Sequence, residues 1–525
     1  QPLDVNLLEQ ATNRLVQSYD WQNGGWGQAP KFPQPMAIEF LLLRAIQGNK
    51  QALSVARHNL DVMVRGGLYD IVGGGFSRYS TDDKWLVPHF EKMLYDNAQL
   101  AQVYLHAYLI TGEELYRQVC ERTLDFLVRE MMDDRGKASD ETPSGGIFSS
   151  LDADSEGEEG KYYLWSLSEI EEIISSTQTS ESKSKGINWL DIFLNAFDVT
   201  DKGNFEGKNI LRRKLTDTEL VEIYNLEKNL ISTEIDKILL HLLKAREKRI
   251  RPAMDDKVLV SWNALAMVAF SEAARYLGRT DYLQIARQNA DFLLSELYLD
   301  GGLKRSWRDG KAQHKAFLED YAGVILGLIS LYQSDPDPWW FSSAVQLLED
   351  MITLFRDPDG FYFDAQADHL DTFVRPKDIQ DNAVPSGNAL AALAQLQLAS
   401  CDGNRFWRDE AERLVSYVVG YIVRYPLGFA KWLHAIIVAI TSTTEIAILG
   451  NQGDSITQKM IASVWSEFRP FSFLASSSYP PPSNSPSLLQ GRTLIGSQPT
   501  AYVCHHMVCR QPVNSPQDLL SQLQL

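Results

Sequence analysis

The feature that most constrains this chain is an alternation, repeated along most of its length, between stretches of helical apolar spacing and glycine-aromatic turns. After Pro88, the residues Leu94, Ala98, Ala101, Leu105 and Tyr108 follow steps of four, three, four and three, which is one face of a helix. Trp262, Leu265, Ala266, Ala269, Ala273 and Tyr276 keep a similar rhythm, and Gly278 supplies a C-terminal stop. The same criterion gives about twelve long helices between Asn6 and Arg424. Between them lie NGGWG at Asn23, GGLYDIVGGGF at Gly66, GGIF at Gly145, GGLKRSW at Gly301 and DGFYF at Asp359. Glycine pairs admit positive φ and close backbone approach, so these turns predict short strands or hairpins at one end of the helices. A helix pair followed by a glycine loop, repeated, predicts an all-α fold, a six-hairpin (α/α)6 toroid or barrel. The alternative is an α-solenoid without a cleft.

At 525 residues the chain exceeds an ordinary single domain, yet a closed ring of helices takes most of it. The formal charge of −18 disfavours nucleic acid and anionic membrane surfaces as partners. Cys120, Cys401, Cys504 and Cys509 are too few for a disulfide scaffold and fit a reducing compartment, so a cytoplasmic location is expected. No run reaches the ~18 apolar residues of a membrane span. The first residues lack a signal-peptide core, and a chain opening on Gln rather than Met is expected to be part of a longer precursor. SSTQTSESKSKG reads as a polar, mobile insertion near 175–188, and ASSSYPPPSNSPS as a loop beyond the barrel. TEIAILG and AYVCHHMVC are strand-like. The expected division is a barrel over 1–435 and a small α/β appendage over 436–525.

Two acidic, glycine-punctuated segments carry the most chemistry, WLVPHFEKMLYDNAQL and GGIFSSLDADSEGEEGKYYLW. With Pro88 at the first position of a helix, His89, Lys92 and Asp96 share one face. His89 and Asp96 then stand about 10 Å apart along the axis. They form no direct dyad but line one groove, with His89 as general acid or base and Trp85, Phe90 and Tyr95 as stacking surfaces. The plainer reading is local hydrogen bonding by His89, with Glu91 offsetting the helix dipole. In DADSEGEEG, Asp152, Asp154, Glu156 and Gly157 match EF-hand positions, but Tyr163 stands where the bidentate Glu belongs. A carboxylate cluster on a tight turn remains, able to accept ligand hydroxyls, hold a cation or cap its neighbours; Lys161, Arg78 or a cation is expected to compensate it. Asp256, Trp262 and Asn263 suit a sugar, whose apolar face takes the ring and whose hydroxyls take the polar groups. Glu319, Asp320, Asp381, Ser386 and Asn388 mark two further helix starts, each also readable as an ordinary N-cap.

Other signals are weaker. Cys504 and Cys509 flank His505 and His506 in a run of alternating side chains, which does not present four ligands to zinc. CxxC, GxSxG, the P-loop and the dinucleotide fingerprint are all missing from the sequence, and no metal or cofactor is expected.

Taken in order, NGGWGQAPKFPQP, GGLYDIVGGGFSRYSTDDKWLVPHFEKMLYDNAQL, DADSEGEEGKYYLW, RPAMDDKVLVSWNAL, FLEDYAG, VPSGN and YVCHHMVC resemble the spermatogenesis-associated protein 20 family. Its bacterial relatives are described as thioredoxin-domain-containing proteins. The resemblance implies a six-hairpin toroid similar to N-acylglucosamine 2-epimerase, cellobiose epimerase and several glycoside hydrolases. Such proteins normally open with a thioredoxin-like domain. This sequence instead starts at the helix leading into NGGWG and has no CxxC, so disulfide exchange is not carried over.

The expectation is a carbohydrate-active barrel binding a sugar or sugar derivative, an epimerase or isomerase in preference to a glycoside hydrolase. His89, Asp96 and Asp256 are its candidate acid/base residues, with His314 or His434 as a possible second histidine. Trp85, Glu91, Asp152, Asp154, Glu156, Trp262, Asn263, Glu319, Asp320, Asp381, Ser386 and Asn388 are the candidate ligand contacts. The competing expectation is a non-catalytic ring that binds a ligand or a protein, such as a thioredoxin-like partner.

Overall fold

The computed structural model describes residues 3–133, 145–177, 186–368 and 374–524. Most of the polar insertion expected near 175–188 lies outside the described residues; Ser175 to Thr177 close the helix Leu167–Thr177.

Six helices form an inner ring: Pro35–Ile46, Leu94–Thr111, Val260–Leu277, Leu318–Ser334, Gly387–Asp402 and Ala430–Ile440. Each packs on the next, and the last packs back on the first. Buried by neighbours on both sides, these helices are apolar nearly all round; the Leu318 helix is buried along almost its whole length. Outside them stand Val5–Gln17, Lys50–Arg65, Glu114–Phe126, Thr280–Phe292, Pro338–Phe355 and Arg405–Ile422, each packed on an inner helix. The outer helices bury one stripe, as in Lys50–Arg65, where Ala52, Val55, Ala56, Asn59, Leu60 and Met63 face inward. Gly278 ends its inner helix at φ +67 and donates its N–H to Ala274, which is the expected stop. The sixth inner helix runs to Ile440, beyond the periodic stretch that ended at Arg424.

Each outer helix is followed along the chain by the next inner helix, with further helices, Leu167–Thr177, Trp189–Ala196, Asp217–Tyr224 and Lys228–Arg246, between Glu114–Phe126 and Val260–Leu277. Two of the connecting turns are built alike. Asp20 N–H bonds Gly25 and Asp70 N–H bonds Gly75, both at 2.9 Å. A buried lysine closes each: Lys31 Nζ donates to Asp20 (2.7 Å) and the Gly24 carbonyl (2.6 Å), and Lys92 Nζ to Asp70 (2.8 Å) and the Gly74 carbonyl (3.0 Å). In the second turn an inner-helix asparagine also clamps the backbone after the glycines. Asn97 Oδ1 accepts from Phe76 N–H at 2.6 Å and its Nδ2 donates back to the Phe76 carbonyl at 3.0 Å. Asn263 holds Ile147 in the same two-way fashion (2.9 and 2.9 Å), and Asn388 holds Tyr362 (2.8 and 3.0 Å). This corrects the sequence reading of Asn263 and Asn388 as ligand contacts, because both amides are fully buried and already spent on backbone.

Short strands stand at glycine turns, as the sequence predicts for GGLKRSW. Lys92–Met93, Ser150–Leu151 and Met254–Asp255 form a small sheet, and Gly302–Arg308 pairs with Lys311–Lys315 in a hairpin. After the ring, Thr444–Leu449 pairs in parallel with Ser472–Ser477 and antiparallel with Thr500–His505. Ser455–Val464 and Pro516–Leu523 pack on that sheet around a second core of Ile446, Ile448, Met460, Leu474 and Val503. The stretch Ala475 to Ser477, read as loop, is therefore strand. Cys504 faces Cys509 across the closing hairpin and the two are disulfide-bonded, a pairing not anticipated; Cys120 and Cys401 are free and buried. No helix among the described residues is long and apolar enough to cross a membrane.

Candidate functional site

Pro88 does not start a helix. Pro88–His89 is a short strand paired with Tyr79–Ser80, and the helix begins at Leu94. His89, Lys92 and Asp96 consequently do not share a helical face. His89 Nδ1 meets Glu159 at 2.8 Å and its ring stacks on Tyr79, while Lys92 turns inward to Asp70. Burial lowers the Lys92 ammonium to about 8 against the pull of Asp70. Glu91 is held by Arg78 at 3.1 Å. Trp85 is fully buried beneath Gly25 and Gly66, where any Cβ would collide with it, so it is core and not a stacking platform for a ligand.

The acidic turn is a two-strand hairpin, Asp154–Ser155 against Glu158–Glu159, with Glu156 and Gly157 at positive φ. Lys161 pairs with Glu156 (3.4 Å) and Glu158 (2.8 Å), whereas Arg78 is engaged by Glu91 instead. Asp152 and Asp154 are exposed. Asp256 pairs with Arg308 at 2.8 Å. Asp320 is completely buried and accepts from Phe317 and Ser261 N–H and from Arg305, which also holds Glu319. Asp381 accepts from Ser386 and Lys431 N–H; burial outweighs these bonds and pushes its carboxyl up to about 7. Burial likewise holds the Asp96 carboxyl well above the usual range.

On the ring axis lies a cavity of about 120 Å³ to which all six inner helices contribute. A single water needs about 10–15 Å³ by this measure, so the cavity has room for several waters or a small ligand. The C-terminal segment closes one end with Trp465, Phe468, Phe471 and Phe473. Inside, His106 is gripped between two carboxylates: Nδ1 meets Glu39 at 2.8 Å and Nε2 meets Glu272 at 2.9 Å. Phe468 covers the imidazole with ring centroids 4.5 Å apart. Burial alone would lower the His106 pKa, but the paired charges outweigh it and raise it to about 10. Glu272, also desolvated, is drawn down to about 2 by His106 and Arg275. Lys431 and His434 face the cavity from the Ala430 helix. Burial, with the charges of Lys431 and His106, keeps His434 well below the ordinary histidine pKa, and among the described residues its Nδ1 has no hydrogen-bond partner.

Of the residues singled out in sequence, Trp262 and Ser386 extend cavity-facing stripes toward the ring mouth. Trp262 precedes Leu265, Val268 and Glu272 at steps of three, three and four, and Ser386 precedes Leu390, Leu393 and Gln397 at four, three and four. Glu319 stands likewise before Gly323 and Leu326. Tyr95, whose ring meets Trp262 edge-on at 4.7 Å, begins the stripe Gln99, Gln102, His106. At 1.5 Å per residue the mouth is about 16 Å from His106. His89, Asp152, Asp154, Glu156 and Asp256 do not line the cavity. Sequence reasoning missed Glu39, His106, Glu272 and Lys431. Their signal was present: polar residues recurring at one helical face inside helices otherwise apolar on every side.

A ring of six helical hairpins around a polar axial cavity defines a six-hairpin helical barrel. The fold is shared with a GH76 alpha-mannanase of Bacteroides thetaiotaomicron, 11% identical, with 84% of this chain and 95% of that one covered at a TM-score of 0.50. Spermatogenesis-associated protein 20 of Homo sapiens is 31% identical across 99% of this chain and 69% of its own length, and that of Mus musculus is 30% identical across 96% and 67%. The chain belongs to the spermatogenesis-associated protein 20 family. No family model matches it.

Proposed function

We propose that the chain is a carbohydrate-active (α/α)6 toroid whose last inner helix carries the expected boundary at 435 on to Ile440, followed by an α/β appendage, and that it epimerises or isomerises a sugar in its axial cavity. The observation that carries this reading is a pair of histidines in one cavity, His106 gripped between Glu39 and Glu272 and His434 with a buried Nδ1 unbonded among the described residues; the carboxylates favour the imidazolium at His106, and burial favours the neutral ring at His434. Inversion beside a carbonyl needs a base on one face of the carbon and an acid on the other. His434 Nδ1 takes the C–H proton and becomes an imidazolium, and the bonding pair moves onto the carbonyl oxygen, leaving an enolate. Both nitrogens of His106 are engaged by carboxylates, so its proton reaches the opposite face through Glu39, whose two oxygens lie 2.9 and 2.8 Å from Nδ1. Trp262, Tyr95, Glu319 and Ser386 form the entrance. His89 and Asp256 take no catalytic step in this scheme.

Hydrolysis fits less well, because it needs one protonated and one ionised carboxyl across a glycosidic bond. Here Glu39 and Glu272 both serve His106, and Glu272 is held ionised. The test is exchange of the C2 proton for deuterium over a panel of free and N-acetylated sugars. Exchange lost in His434→Gln is the expected result. Sugar binding without exchange would favour the non-catalytic ring instead.

A further inference from the structure

One cation of the cavity makes no direct contact. Apart from Tyr276, seven of its lining residues are ionisable, and most are committed to one another. Glu39 and Glu272 both engage His106. Arg275 donates to Glu272, to the Ser330 carbonyl and to the hydroxyls of Ser330 and Ser334. Arg469 is bound to Glu467 and to the carbonyls of Val464 and Leu523. His434 is neutral. Lys431 is different: among the described residues its Nζ has no hydrogen bond and no ion pair, although it lines the cavity both near the closed end and toward the mouth. Glu39, Asp381 and Glu272 act on it only at a distance, and burial lowers its pKa against their pull. A half-buried ammonium with no direct partner is costly to keep, since the cost of desolvation is offset only by an opposite charge or by hydrogen bonds.

We infer that Lys431 is the recognition point for an anionic group on the ligand, and that the substrate of this cavity is an acidic sugar, a phosphate ester or a carboxylate, in preference to a neutral one. This rests on the carbohydrate reading above and narrows it. Lys431 and His434 are three residues apart on one helical face, so an anion held by Nζ fixes the sugar beside the imidazole that takes its proton. An ammonium is a point charge that accepts either anion, so the two sources must be separated by experiment.

Isothermal titration of the full chain with glucose, glucose 6-phosphate, glucuronate and inorganic phosphate tests this. The expected result is that at least one acidic sugar binds about tenfold or more tightly than glucose, and that the preference weakens with salt. Whether the phosphate or the carboxylate arm shows it identifies the source. Lys431→Met should erase the preference, and Lys431→Arg should keep part of it. Should the methionine variant fail to fold, the native titrations and the arginine variant carry the test. Equal affinity for glucose, no binding in either acidic arm, or a preference that survives Lys431→Met would overturn the inference. C2 exchange is read separately: exchange on glucose bound as tightly as its acidic relatives sinks this inference alone, and an acidic preference without exchange sinks only the epimerase reading.

Discussion

At the scale of single residues the decisive element is the imidazolium of His106 between two carboxylates. Its folded pKa of about 10 stands above the ordinary value of 6.5, so the folded state holds a proton there that the unfolded chain releases. The stabilisation is complete below about pH 6.5 and is lost as pH rises toward 10. Glu272 mirrors this on the acid side, where its contribution is lost as pH falls from 4.5 toward 2. Unfolding free energy from urea titration should therefore fall between pH 7 and 9.5 by at least about 1 kcal/mol more in the native protein than in His106→Gln, while Lys92, lowered to about 8, gives both the opposite slope. Parallel profiles for the two proteins would remove His106 from the account. Little of this was visible in the sequence. His106 stands in an alanine- and leucine-rich helix, and its partners Glu39 and Glu272 lie far off in the chain, so only the ring's closure brings the three together. His89 drew attention because aromatics and acids surround it locally, yet these serve a rim hairpin.

At the scale of elements, the repeated unit is a turn, a buried closing cation in the first two hairpins, and an asparagine that reads the turn's backbone. Replacing Asn97 or Asn263 by alanine leaves a buried N–H and C=O unpaired, each costing roughly 1–3 kcal/mol. Asp152→Asn on the exposed rim should stay within about 0.5 kcal/mol. Equal urea midpoints for the two classes would show that the clamps are dispensable. The helices and their glycine punctuation were legible because period and composition are local properties. The N-terminal limit of the Leu94 helix was not. Pro88 suits a first helical turn in isolation, but pairing with Tyr79–Ser80 draws Pro88–His89 into extended backbone and delays the helix by several residues. Asn263 and Asn388 looked like sugar contacts for a similar reason, since their true partners are backbone atoms of a preceding turn.

At the scale of the whole molecule, the thiols report how the parts are sealed. Cys120 and Cys401 are buried, with burial raising both thiols, and Cys504 and Cys509 are joined. Alkylation of the native protein should label none of the four, reductant should expose Cys509 while Cys504 stays buried, and unfolding should expose all. Native labelling of Cys401 would mean that the appendage does not cover the ring as described. From the sequence, ring and appendage were each foreseeable; that the appendage supplies the cavity's lid was not, because nothing local in WSEFRPFSF points to an axis.

The ring's seam joins the Pro35 helix to the Ala430 helix, and Phe468 and Phe473 arrive later still. During synthesis, then, the apolar inner faces of the early hairpins emerge with nothing opposite them and must wait for most of the chain. Such waiting surfaces invite chaperones and misassembly. A nascent chain stopped before the last inner helix would have several finished hairpins and yet no lumen in which to hold a ligand.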